Sequence, residues 1–460
     1  MFEKALDCRR PISARWLQSR ARLGRPPTPA RVFRRERSLA FEPSASLIAR
    51  SNGRHASFFC LPKPGRQGWW FDMHLEILGI MSDLSITLEA LQRSRTQLPV
   101  SSYFDQALFD KEMRQIFPSG PRYLGHERMV PEVGDYQALA NEGEGRALVR
   151  TAQGVELVSN VCRHRQAVML KGRGNTGSNV VCPLHRWTYG LDGQLIGAPH
   201  FKEDPCLNLR NYPVQIWNGL VFEANVDGQG RDVAADLAGL GPRAELDFEG
   251  YVFDKVIQHE CNYNWKTFIE VYLEDYHVGP FHPGLGNFVT CEDLRWEMGR
   301  EYSVQTVGVA QGAGKALGRS GSPVYERWHE QVLRFQNGVT PKHGAIWLTY
   351  YPHIMVEWYP NVLTVSTLQP ISPTKTLNTV EFYYPEEIAA FERDYVEAQQ
   401  AAYMETCIED DEIGERMDAG RLALLKRGDN EFGPYQSPME DGMQHFHEWY
   451  RRQMGDAAID

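Results

Sequence analysis

Two short segments constrain this chain of 460 residues more than anything else in it: Cys162-x-His164 and Cys182-x-x-His185, with seventeen residues between His164 and Cys182. Each segment pairs one thiol with one imidazole. A Cys2His2 zinc finger groups Cys with Cys and His with His, whereas one of each on both arms suits a cluster with two unlike iron atoms. Two thiolates hold one iron of such a [2Fe–2S] centre and two neutral imidazoles hold the other, which raises its reduction potential above that of an all-thiolate cluster. The ligands must converge, so the segments are expected to be two loops of one small domain. The competing readings are a zinc ribbon in a zinc-stabilised binding protein, or chance spacing.

The surrounding pattern agrees with a β domain. From about 120 to 235 short apolar runs (ALVRTA, VELVSNVC, NVVCPLH, GLVFEANV) alternate with Gly, Asp and Asn, as in a small antiparallel sheet. Gly172-x-Gly174-x-x-Gly177 formally matches a dinucleotide fingerprint, but no helical pattern follows it, so these glycines are read as turn formers. Residues 226–243 have the composition of a linker. Beyond 250, strand-like runs such as AIWLTYYPHIMVEWYPNVLTVSTLQP mix with helical segments, so the chain reads as α+β. Helical spacing is also present at 83–117. It recurs after Pro385, with Ile388, Phe391, Tyr395 and Val396 on one face.

Composition narrows the function classes. A formal net charge of −10 argues against a nucleic-acid partner, and no apolar run approaches the length needed to span a bilayer. The eight cysteines are too sparse for a disulfide scaffold, which points to a reducing, cytoplasmic setting. Residues 1–70 stand apart, with fifteen Lys/Arg against four Asp/Glu and no periodicity. Residues 1–80 are therefore read as a disordered basic extension or targeting segment, or as sequence upstream of a true start at Met81.

A second constellation lies in NYNWKTFIEVYLEDYHVGPFHPGL (262–285), read as helical until Pro280. Glu270, Glu274 and His277 are spaced to share one helical face, and the breaks at Pro280 and Pro283 let His282 fold back beside His277. Two imidazoles and one carboxylate from elsewhere make a facial triad that leaves iron positions open for dioxygen and substrate.

Taken together, these motifs resemble the Rieske ring-hydroxylating oxygenases, large-subunit type, over nearly all of residues 85–455. C-x-H and C-x-x-H followed by Trp187 and Tyr189-Gly190 look like the family's cluster loops. NWK and Glu274-x-x-His277-x-x-x-x-His282 are similar to its iron helix, although Val271 stands where many members have Asn. The resemblance implies Cys162, His164, Cys182 and His185 as cluster ligands and His277 and His282 as ligands of a mononuclear Fe(II). The third iron ligand is drawn from the acidic run Ile408–Glu415, which resembles a segment of choline and carnitine monooxygenases: Asp410, with Asp411 as alternative. Glu274 is implied as the carboxylate that bridges to a neighbouring subunit's cluster.

The resemblance also implies a domain plan. Helices at 81–120 would pack on the catalytic domain, a Rieske domain would span 121–235, and a helix-grip catalytic domain would span 245–460. Electrons would come from NAD(P)H through a separate reductase or ferredoxin, and the chain would form a homotrimer, with or without a β subunit. An aromatic ring or aromatic acid is the first expected substrate, with a pocket drawn from Trp347, Tyr350, Tyr351, Trp358 and Tyr359. A quaternary ammonium compound is the second, since cations favour aromatic cages. A Rieske electron carrier without oxygenase activity would need none of His277, His282 and Asp410.

Overall fold

Seven segments between residues 251 and 385 pair into one antiparallel sheet in the order Tyr251–Cys261, Lys375–Pro385, Val362–Ser372, Ile354–Tyr359, Ala345–Tyr350, Tyr302–Val309 and Val289–Met298. Successive side chains point to opposite faces, so one set of strands feeds two cores. Val304, Leu348, Val356 and Val365 form a cross-strand row that packs against Leu220 and Phe222. One residue along each strand, Gln305, Trp347, Glu357 and Thr364 form a parallel row on the other face. This second face is the one the site uses.

This computed structural model describes residues 96–224, 230–241, 243–310, 321–429 and 431–455, all within one compact unit. The basic extension expected at 1–80, and the helical pattern ahead of residue 96, lie outside the described residues. The described helices of eight residues or more are α1 (Gln106–Gln115), α2 (Trp265–Tyr272), α3 (Pro323–Phe335), α4 (Arg393–Arg427) and α5 (Asp441–Met454). Their starts carry side-chain caps where the sequence allows. Asp105 accepts the Leu108 N–H, Asn264 accepts the Lys266 N–H, and Ser322 precedes Pro323 at the first turn of α3. Helices α1, α2 and α5 share a third core in which Phe109, Ile116, Trp265, Ile269, Phe446 and Trp449 are buried. No helix among the described residues is long and apolar enough to cross a membrane.

The strands before residue 224 pair only antiparallel, in a five-stranded sheet and two three-stranded ones. Arg173–Asn175 is a strand in it, flanked by Gly172 and Gly177 with φ of +57° and +71°, and no helix follows. The glycines turn the chain between the two ligand arms, as expected. The α+β architecture with an antiparallel β domain ahead of a sheet-and-helix domain is thus the observed one.

Helix α4 departs from the expected periodicity. The helix after Pro385 stops at Phe391 and α4 begins anew at Arg393, so Ile388, Tyr395 and Val396 are buried while Phe391 is 84% exposed. Further along, one polar stripe docks α4 on its neighbours. Asp411 accepts from Tyr263 at 3.0 Å, Gly414 abuts the Tyr263 ring, Asp418 accepts from Asn264 N at 2.8 Å, and Arg421 donates to Glu270 at 2.5 Å. These positions recur every three or four residues, so they lie on one helical face. A Cβ at Gly414 would meet the Tyr263 ring at 2.9 Å, which explains a helix-weakening residue in mid-helix.

Candidate cluster and iron sites

The two cluster arms are built alike. Cys162 N–H donates to Ala167 O and Gln166 N–H returns to Cys162 O; likewise Cys182 N–H donates to Trp187 O and Arg186 N–H returns to Cys182 O. In each arm the fifth residue, Gln166 or Arg186, takes a positive φ near +53° or +60°, which closes the knuckle. Cys162 and Cys182 are buried, whereas His185 is exposed. The His164 and His185 rings face each other with Nδ1 atoms 3.1 Å apart, and Trp187 stacks on His164 with ring planes 6° apart. The Tyr189 hydroxyl sits 3.5 Å from Cys162 Sγ. Burial pushes the Cys182 thiol up, against backbone N–H groups of Leu184 and His185 that favour its thiolate. Two buried thiols and two converging imidazole nitrogens fit a [2Fe–2S] cluster of mixed ligation.

The second constellation is arranged differently from the helix expected over 262–280. Helix α2 ends at Tyr272, and the chain turns on Glu274, whose carboxylate accepts the N–H groups of Tyr276 at 2.7 Å and His277 at 3.1 Å. The same carboxylate pairs with His277 Nδ1. Glu270 does not share that environment. It is buried with Arg421, His447 and Tyr103, and despite burial these partners hold it down at about 2. The helix stops before 274, so helical spacing no longer relates the two acids.

A short helical turn, Val278–Phe281, returns His282 to His277 with their Nε2 atoms 3.0 Å apart. Asp410 Oδ1 lies 3.1 Å from His282 Nε2 and 3.5 Å from His277 Nε2. Its neighbour Asp411 turns to the opposite side, 2.7 Å from His259 Nε2. Glu409, for which sequence reasoning found no role, lies 2.7 Å from His282 Nδ1. Each histidine therefore has a carboxylate at Nδ1, which leaves two Nε2 lone pairs and one carboxylate oxygen facing a common point. Three acceptors converging in this way would suit a cation between them, and the donor set fits a mononuclear iron. Burial lowers His277, but Asp410 and Glu274 outweigh it and push the group up to about 10. Metal must displace the proton held there.

Beside the three side chains opens a cavity of about 80 Å³. Trp347 and Tyr359 line it, with Trp328, Tyr272, Tyr325 and Tyr403. Tyr350, Tyr351 and Trp358 do not. Tyr350 belongs to the opposite core and donates to Asp236, Tyr351 packs beside α5, and Trp358 lies one residue out of phase with Glu357 and Tyr359. Glu357 and Asp275 also line the cavity and were not singled out from sequence. A charged residue inside the apolar run IMVEWY was the available sign of Glu357.

Two family models match the chain: the Rieske [2Fe–2S] domain over residues 122–213, and the ring hydroxylating alpha subunit (catalytic domain) over residues 248–456. Putrescine 2-hydroxylase of Ralstonia nicotianae is 66% identical over 81% of this chain and all of its own length. Putrescine 2-hydroxylase of Bordetella bronchiseptica is 60% identical over 82% of this chain and 89% of its own. The crystal structure of the quaternary ammonium Rieske monooxygenase CntA with L-carnitine shares the fold, with a TM-score of 0.59, 20% identity, and coverage of 78% and 96% of the two chains. These relatives overturn the expectation of an aromatic ring or aromatic acid as substrate, because putrescine is an aliphatic amine. The catalytic-domain match likewise leaves no room for a bare electron carrier. With both domains matched in order and relatives at 60% and 66% identity, the chain belongs to the Rieske non-haem iron ring-hydroxylating oxygenases, as an oxygenase of alpha-subunit type.

Proposed function

We propose that this oxygenase hydroxylates a small aliphatic diamine, with putrescine as candidate substrate. One C–H bond becomes C–OH, the second oxygen atom of dioxygen leaves as water, and the reaction consumes two electrons and two protons. The observation that carries this reading is the charge of the cavity: its lining includes Glu274, Asp275, Glu357 and Asp410 and no Lys or Arg. Such a lining attracts a cation and repels an aromatic acid. The names of the relatives at 66% and 60% identity point the same way.

In this reading residues 121–235 carry the cluster on Cys162, His164, Cys182 and His185, and residues 245–460 hold the iron on His277, His282 and Asp410. Bound iron supplies dioxygen activation and the cluster supplies single electrons, which originate on NAD(P)H and arrive through a separate reductase or ferredoxin. Glu274 and Glu409 hold the two imidazoles as Nδ1–H tautomers, so that both Nε2 atoms stay available to metal. A head-to-tail trimer brings the exposed His185 of one subunit to Glu274 of the next.

The test is turnover after anaerobic reconstitution with iron and sulfide, using a surrogate reductase. One molecule of 1,4-diaminobutan-2-ol is expected for each dioxygen consumed with putrescine, and no hydroxylated product with benzoate. Hydroxylation of benzoate without any amine product would overturn the proposal.

A further inference from the structure

We infer that Glu357 and Asp275 are two ammonium seats at opposite ends of the cavity, spaced for a short diamine; the inference rests on the diamine reading above. Glu357 is 1% exposed, and its partners are hydroxyls: Tyr403 donates at 2.9 Å and Tyr359 at 3.3 Å. Among the described residues it forms no ion pair. A carboxylate buried in this way is costly to keep charged, and burial accordingly pushes Glu357 up to about 7. A cation that enters the cavity removes that cost. Trp347, cross-strand to Glu357, provides an aromatic face beside the same space.

Asp275 supplies the independent observation. It is 3% exposed, and it lines the cavity together with Glu357. Gln305 donates its amide to Asp275 Oδ1, which leaves Asp275 Oδ2 and Gln305 Oε1 as buried acceptors with no hydrogen-bond partner. The orphan Oδ2 of the cavity-lining Asp275, and Oε1 of the Gln305 that bonds to it, fit a ligand group that only donates. An ammonium has three N–H donors and no acceptor. A quaternary ammonium has none, so it satisfies neither oxygen.

The sheet sets the spacing. Gln305, Trp347 and Glu357 are direct cross-strand partners on three neighbouring strands. Two strand intervals separate Gln305 from Glu357, about 10 Å between their backbones. An extended four-carbon diamine separates its nitrogens by about 6 Å from standard bond lengths. The remainder of about 4 Å is less than two charge-assisted hydrogen bonds of about 2.8 Å laid end to end, so the bond at each end is inclined to the row of strands. The carbon chain would then cross over Trp347, in the cavity that His277, His282 and Asp410 also line.

Calorimetric titration of the iron-loaded, cluster-replete protein tests the seats through binding, apart from turnover. Putrescine should bind the wild type at least about tenfold more tightly than butylamine, since the second ammonium adds a charge-assisted bond in a dry site. Glu357→Gln and Asp275→Asn keep side-chain shape and remove charge. Each should weaken putrescine by about tenfold or more, and one of them should leave butylamine within about twofold, because butylamine fills a single seat. Cluster absorption and melting temperature report whether each variant is folded, and the wild-type comparison decides even if neither is. Equal wild-type affinity for putrescine and butylamine, or unchanged putrescine affinity in both folded variants, overturns the seats and leaves the diamine reading standing if putrescine is hydroxylated. Absence of any putrescine binding or turnover by the wild type overturns both.

Discussion

Glu409 Oε2 lies 2.7 Å from Nδ1 of His282, while the next residue of α4, Asp410, lies 3.1 Å from Nε2 of the same ring. Consecutive helical side chains thus straddle one imidazole. A carboxylate at Nδ1 fixes the tautomer and orientation of a metal-binding histidine. Glu409→Ala is expected to lower iron affinity by roughly 10–100-fold while Glu409→Gln, which still accepts a hydrogen bond, retains more of it. Competition with a graded chelator measures both, and the cluster spectrum should not move. An Ala variant that holds iron as tightly as the wild type would show the contact to be incidental.

Asp410 and Asp411 are chemically identical neighbours with different surroundings. Asp410→Ala should yield protein with its cluster intact and its mononuclear iron lost. Asp411→Asn should keep the iron but lose stability, since His259 and Tyr263 both bond to that carboxylate. Leaving such partners short of an acceptor costs on the order of 1–3 kcal/mol, visible as a lower melting temperature. Metal analysis and thermal unfolding of the pair separate the two roles, and iron loss in the Asp411 variant alone would reverse them.

Glu274 offers a sharper separation of structure from electron transfer. Glu274→Gln can still accept the N–H groups of Tyr276 and His277, so the iron loop should persist. In stopped-flow mixing with dioxygen and substrate, the reduced cluster of this variant should reoxidise at least about tenfold more slowly, because the carboxylate charge linking the sites is gone. Cluster reoxidation at the wild-type rate would remove Glu274 from the electron path.

Glu381 is buried with Tyr123 and Tyr383, each donating to it at 2.7 Å, and burial raises it from 4.5 to about 7. Its folded-state proton affinity exceeds the unfolded one, so its contribution to stability is full below about 4.5 and lost as pH rises through about 7. Glu381→Gln stays neutral throughout. The variant should match the wild type near pH 4.5 and exceed it by a few kcal/mol above pH 8, read as a melting-temperature difference that grows with pH. Glu357 titrates in the same window, so the difference between the two proteins is the measured quantity. A pH-independent difference would mean that Glu381 is charged, or neutral, in both states.

Much of this molecule was legible in one dimension because its chemistry is local. The C-x-H and C-x-x-H arms fold as knuckles closed by hydrogen bonds within each arm, so spacing alone pointed to the four candidate ligands. His277 and His282 are likewise joined by a single short turn. The α+β class followed from periodicity, since apolar alternation and helical spacing each report which face of an element is buried.

What periodicity could not decide was everything that depends on distant chain. Glu270 and Glu274 share a helical spacing in sequence, yet Arg421 and His447 claim the first, and the end of α2 at Tyr272 frees the second. The choice between Asp410 and Asp411 is a rotation of α4 about its own axis, and that rotation is set by contacts of Asp411, Gly414, Asp418 and Arg421 with residues about 150 positions away. Substrate class was misread for the same reason. Aromatic residues in a strand look alike in sequence, whereas the acidic lining of the cavity includes Glu357 and Asp275, brought to one space by strand register and by the turn after α2. Side-chain chemistry is written in the sequence, but the field that a ligand meets is a sum over neighbours that only the folded chain assembles.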